Sequence, residues 1–126
     1  MTEKGRLAVK TIDLTQKKCV PCEGIGKALT SQEANEYLKR IEQWQLDPTR
    51  KVVSREYILK NFMAAVKLIN GIAQLAEQEN HHPDLHLVNY RKLRVDLTTH
   101  ALGGLSENDF ILAAKINRLP AELKNV

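Results

Sequence analysis

Aromatic residues are scarce in this sequence, 5% of 126 residues, so a surface that stacks exposed nucleic-acid bases has little to be built from. Lys and Arg outnumber Asp and Glu only by 19 to 15, and the basic residues are interleaved with acidic ones, which makes no basic stripe. Nucleic acid is therefore not expected as a partner. There are two cysteines, Cys19 and Cys22, too few for the disulfide framework of a small secreted domain. No second Cys-x-x-Cys accompanies Cys19-Val20-Pro21-Cys22, so the pair is expected to be a reduced, inert part of the chain. No apolar run approaches the length of a membrane span, and Met1-Thr2-Glu3-Lys4-Gly5-Arg6 lacks the apolar core of a secretory signal. A soluble, cytoplasmic chain without a membrane partner is the expectation. Gly24-Ile25-Gly26 has neither a third glycine nor a preceding strand, and so carries no dinucleotide fingerprint.

What is present suits one globular domain: 43% hydrophobic and 27% charged residues, near the average for folded proteins. Residues 1–29 hold no sustained apolar period and contain Pro21, Gly24 and Gly26, which predicts an extended or irregular N-terminal arm. The folded body is expected over 30–126. Thr30 and Glu33 fit a capping box, opening a helix to about Glu42 with Ala34, Tyr37, Leu38 and Ile41 on one face. Trp44–Leu46 and Lys51–Leu59 flank the turn signal Asp47-Pro48-Thr49 and predict a hairpin. From Phe62 the residues Ala65, Val66, Ile69, Ile72, Ala73 and Ala76 recur at helical spacing. Met63, Leu68 and Leu75 widen that stripe beyond one face, so burial on more than one side or a subunit contact is expected. Pro83 disfavours helical geometry at His82, and the helix is expected to end at the histidine pair. Leu85–Tyr90 and Leu93–Thr99 predict a second hairpin. Ser106 and Asp109 fit another capping box, opening a last helix that stops before Pro120. Strand pairs separated by helices predict an α+β fold with the order α-β-β-α-β-β-α and an antiparallel sheet covered on one face.

All four histidines fall within residues 81–100, and His81, His82 and His100 sit at predicted element ends, where side chains reach a cleft. Imidazole titrates near neutrality, so paired histidines supply one base and one acid at neutral pH. Glu77 precedes His81 by one helical turn, and its carboxylate is expected to orient that ring. If strand alternation persists, His100 faces away from Leu93, Val95 and Leu97. The glycines Gly103-Gly104 that follow permit a tight turn or the close approach of a flat ligand. His86 has no motif support and reads as a surface residue.

Several separated motifs, in order, carry a resemblance. Glu77-Gln78-Glu79-Asn80-His81-His82-Pro83, Asn89-Tyr90, Thr98-Thr99-His100, Gly104-Leu105-Ser106 and Asp109 resemble the signature of the pterin-4a-carbinolamine dehydratases. The likeness covers roughly residues 30 to 118. The leader from Leu14 to Gly24 is similar to one in a longer branch of that family. The resemblance implies a four-stranded antiparallel sheet with three helices on one face. It also implies elimination of water from 4a-hydroxytetrahydropterin to give quinonoid dihydropterin, the recycling step for aromatic amino-acid hydroxylases. By the same resemblance His81 and His100 are the acid–base pair, and His82 binds and orients substrate. Glu77, Asn80, Pro83, Thr98, Thr99 and Asp109 then line the pterin pocket. Asn80 stands where family members often carry Asp, and the hairpin between His82 and His100 is one residue longer than in animal members.

No cofactor or metal is implied, since the pterin is the substrate. A homodimer or homotetramer and a partnering hydroxylase are implied. Histidines at a helix end are commonly partners of the helix dipole, and Asp109 has a complete explanation in its capping box. A protein-binding or assembly module of the same fold is the alternative function. A zinc site from His81, His82, His100 and Asp109 ranks last, because adjacent histidines rarely point at one ion and no His-x-x-x-His pair lies on a predicted helix.

Overall fold

A computed structural model describes residues 13–21 and 24–125; Cys22 lies outside them, as do residues 1–12 and Glu23 of the predicted arm. We label the regular elements α1 (Ser31–Leu38), β1 (Gln45–Leu46), β2 (Val53–Ile58), α2 (Phe62–Glu79), β3 (Asp84–Val88), β4 (Lys92–Leu97) and α3 (Glu107–Asn117). Short 3-10 turns lie at Leu14–Gln16 and His100–Leu102. The four strands make one antiparallel sheet in the order β1-β2-β4-β3. This is the α+β architecture expected from the element order.

Alternation along the strands sorts the two faces. Val53 and Tyr57 of β2 and Leu93, Val95 and Leu97 of β4 are buried, whereas Glu56, Ile58, Lys92 and Arg94 are exposed, as a sheet covered on one side requires. The buried face meets Ala65, Leu68 and Ile72 of α2 and Phe110, Ile111, Leu112, Ala113 and Ile116 of α3 in one core. α3 is buried nearly all round, which makes it the central helix. The wide stripe of α2 has a different outcome at its start, where Phe62 and Met63 are 50% and 70% exposed.

Local chemistry sets the boundaries. The Thr30–Glu33 capping box forms, with Glu33 N–H donating to Thr30 Oγ1 and Thr30 N–H to Glu33 Oε1. α1 then stops at Leu38, short of the expected Glu42, although Ile41 still reaches the core. Asp47 Oδ1 accepts the amides of Lys51 and Val52 and closes the β1–β2 turn. α2 ends at Glu79, not at the histidine pair. Asn80 takes up left-handed geometry (φ 54, ψ 42) as its C-cap, a conformation that asparagine tolerates better than most residues.

The arm has order within the described residues. Asp13 caps the turn Leu14–Gln16, Leu14 is buried, and the turn packs against α3. Leu29 N–H donates to Leu105 O at 2.8 Å, fixing the entry to α1 against the loop before α3.

Candidate active site

Asn80 decides where the histidines point. Its left-handed backbone ends the helix before His81, so the ring of His81 leaves the Glu77 face and turns into the protein. There His81, 8% exposed, donates from Nε2 to Oδ1 of Asp109, which is fully buried, at 2.6 Å. Glu77 instead accepts from Nε2 of the next residue, His82, at 2.7 Å in solvent. The expected Glu77–His81 pairing is thus corrected: the one-turn rule holds only while the helix continues, and it does not continue.

Asp109 uses its second oxygen as well. Oδ2 accepts Thr99 Oγ1–H at 2.8 Å and Ser106 N–H at 2.9 Å, while the Thr99 and Ser106 hydroxyls bond each other at 2.7 Å. The carboxylate therefore caps the first turn of α3 and also grips His81. A buried carboxylate stripped of water must be satisfied by such donors. Nε2–H is committed to Asp109, which leaves Nδ1 as the second nitrogen of the ring.

The third histidine sits on a turn held by the same network. β4 ends at Leu97, so alternation does not carry to His100, a correction to the expected strand end. Thr99 bridges Gly104, with Thr99 N–H donating to Gly104 O at 2.9 Å. The loop so closed presents His100 exposed at the head of a 3-10 turn. Gly103 is left-handed (φ 67). A Cβ on Gly104 would meet Cβ of Ala28 at 3.0 Å, so this glycine leaves room for the Ala28 side chain. Thr98 Oγ1 donates to Lys51 O at 2.5 Å, tying the approach to this turn to the β1–β2 loop.

The structure thus joins His81, Thr99, Ser106 and Asp109 in one bonded network and pairs His82 with Glu77. Asn80 and His100 are exposed, Pro83 is half-buried, and each adjoins a network residue or His82 in the chain. Among the described residues no group of three or more His, Cys, Asp or Glu side chains comes together to hold a metal ion. His86, 3.2 Å from Asp96, is a half-exposed sheet residue.

Sequence reasoning missed the far side of the site. Glu79 is buried and accepts Lys115 Nζ at 2.6 Å and the amide of Cys19 at 2.9 Å. Burial pushes its carboxyl up, but those hydrogen bonds outweigh burial and hold it below the usual range. Its position was readable, since Ile72, Ala76 and Glu79 follow the buried spacing of α2. Cys19 goes the other way. Burial and the negative Glu79 push its thiol up to about 12, so it is a protonated thiol near neutrality and not a thiolate nucleophile.

Comparison with known proteins decides the family. Residues 27–119 match the model of the pterin 4 alpha carbinolamine dehydratase family. This chain belongs to the pterin-4a-carbinolamine dehydratase family. It is 48% identical over 108 residues to a putative pterin-4-alpha-carbinolamine dehydratase of Nitrosomonas eutropha, covering 85% of this chain and 93% of that one. Pterin-4-alpha-carbinolamine dehydratase 2, mitochondrial, of Arabidopsis thaliana is 44% identical over 113 residues, covering 87% and 60% respectively. Among solved structures, a transcriptional coactivator/pterin dehydratase from Brucella melitensis shares 33% identity with a TM-score of 0.67, over 72% of this chain and 96% of the other. A pterin dehydratase-like protein described as a RuBisCO assembly factor in the alpha-carboxysome has a TM-score of 0.51 at 14% identity, covering 60% and 87%, a likeness of fold alone. Membership makes this chain an enzyme of the dehydratase class, a carbon–oxygen lyase. No helix among the described residues is long and apolar enough to cross a membrane.

Proposed function

We propose that this pterin dehydratase eliminates water from 4a-hydroxytetrahydropterin to give quinonoid dihydropterin, with His81 and His100 as general acid and base and His82 orienting the substrate. The observation that carries the mechanism is the buried His81–Asp109 pair. It fixes one ring nitrogen and leaves the other to exchange a proton. The elimination needs both partners: a proton goes to the departing 4a-hydroxyl so that water leaves, and a ring N–H gives up a proton as the nitrogen lone pair closes the new double bond. Positioned acid–base groups accelerate such steps by on the order of a hundred- to ten-thousandfold. The exposed His100 and His82 suit groups that meet a substrate arriving from solvent. The resemblance to the family signature supports placing Asn80, Pro83, Thr98 and Thr99 at the pocket, with Glu77 acting there through His82.

Recycling a hydroxylase cofactor in the cytoplasm, as a homodimer or homotetramer, is the setting that this reading implies, and native mass measurement tests the subunit number. The decisive assay follows breakdown of 4a-hydroxytetrahydropterin by wild type, His81→Ala and His100→Ala, with and without a chelator. Rate above the uncatalysed background in wild type, lost in both variants and indifferent to chelation, is expected. A wild type no faster than background would sink the enzyme reading in favour of a binding or assembly module, and loss on chelation would promote a metal.

A further inference from the structure

The arm segment Lys17–Pro21 meets the core at two places, and both adjoin the His81–Asp109 pair. Asn108, 2% exposed, accepts Val20 N–H at Oδ1 (3.0 Å) and donates from Nδ2 to Val20 O (2.7 Å). Its side chain thus imitates one rung of a sheet against the arm. The Asn108 carbonyl also accepts from Cys19 Sγ at 3.5 Å. On α2, Glu79 takes the Cys19 amide and Lys115 Nζ. Lys17 Nζ reaches Glu107 Oε2 at 2.6 Å. Asn108 is the residue before Asp109, and Glu79 stands two residues before His81. The arm therefore ties together the end of α2 and the start of α3, the two points that carry the partners of the buried pair.

We propose that Asn108 is a positioning residue through which the arm segment Lys17–Pro21 fixes the His81–Asp109 pair for catalysis. The chemistry of the seam argues for this over simple coverage. A seam meant only to exclude water is filled most readily by apolar side chains, because buried polar groups must be satisfied bond for bond. Here two buried polar residues, Asn108 and Glu79, are satisfied by backbone amides of the arm, so the seam is complete only when the arm lies in one register. The bond between His81 and Asp109 joins two separate elements. Its length depends on how those elements are held, and misplacement of about 1 Å in a reacting group can lower a rate on the order of a hundredfold.

The proposal rests on the dehydratase reading, and the test separates the two. Asn108→Ala removes the clamp from the core side. Val20→Pro removes one amide from the arm side, at a residue whose side chain is 51% exposed and contributes little packing. Both full-length variants are assayed for kcat and KM, and the His81 Nε2–H proton is followed by NMR. In both, kcat is expected to fall about tenfold or more while KM changes far less, with the His81 proton shifted or lost to exchange. The double variant is expected to be no worse than Asn108→Ala alone, as for two changes that break one interaction. Asn108→Gln, which keeps both amide functions, is expected to recover part of the rate. Unchanged kcat and an unmoved His81 proton in Val20→Pro, whatever happens to Tm, would overturn the proposal. No turnover in wild type defeats the dehydratase reading, and the NMR signal then decides the positioning on its own.

Discussion

His81 and His82 are neighbours in the chain, and each is bonded through Nε2 to a carboxylate, at 2.6 Å and 2.7 Å. One pair is buried, at 8% and 0% side-chain exposure, and the other lies in water at 54% and 78%. The bond lengths differ by 0.1 Å and the surroundings are opposite. In water a contact of this kind adds about 0–1 kcal/mol, because solvation offsets most of the attraction. Inside, neither partner can turn to water, so removing either leaves the other stranded. The inner pair is also built into the fold by Thr99 and Ser106, whereas the outer pair is two side chains meeting at a helix end. One motif thus yields a rigid histidine and an adaptable one.

The largest test removes the inner carboxylate. Asp109→Ala strands His81 and the amide of Ser106 and takes one of two partners from Thr99 Oγ1, and is expected to lower unfolding free energy by about 3–5 kcal/mol in urea denaturation followed by Trp44 fluorescence. Asp109→Asn keeps the volume and one acceptor and is expected to fall short of that loss. Equal, small effects of both would mean that the inner pair is no stronger than the outer one. Thr99→Val is the next largest. It preserves shape, deletes one donor to Asp109 and leaves the Ser106 hydroxyl without its partner, which is expected to remove about 1–3 kcal/mol.

Acid acts on two further carboxylates held by hydrogen bonds. Burial pushes the carboxyls of Glu79 and Asp96 up, but Lys115 and the Cys19 amide at the first, and Ser54 and Arg94 at the second, hold both below their ordinary values. The folded state therefore binds fewer protons than the unfolded chain as pH falls through the ordinary carboxylate range. Stability present above that range is lost as pH drops toward the folded-state values. Glu79→Gln cannot titrate, so its acid limb is expected to be flatter than that of wild type. Parallel limbs in pH-dependent urea melts would show that Glu79 is not depressed in the folded state.

How far these features could be read beforehand depends on the range of the interaction. The α2 helix, the capping boxes and both hairpins follow from periods and caps set within a few residues, and the structure has them, although the buried stripe of α2 leaves Phe62, Met63 and Ala73 exposed. Antiparallel pairing followed as well. The partner of His81 did not, because a single left-handed residue, Asn80, redirects everything after it. An asparagine at that position is compatible with a continuing helix or with a cap. His100 moved for a similar reason: the strand stops at Leu97, and Thr99 is recruited by a carboxylate ten residues on. The arm's contacts were least legible, since Asn108 and Glu79 engage backbone amides of the arm, and a backbone amide leaves no mark in the sequence.

The smallest test is Glu77→Ala. The exposed Glu77–His82 pair is expected to contribute within about 1 kcal/mol, so the variant should melt close to wild type, and added salt should narrow even that gap. Its effect on turnover is the informative part. If His82 orients substrate from an adaptable position, loss of Glu77 frees its ring and is expected to raise KM severalfold with little change in kcat. That is the signature of lost binding, not of lost transition-state contact. A kcat collapse as deep as that of His81→Ala would instead place the outer pair in the chemistry itself, and would remove the distinction between the two histidines on which the mechanism depends.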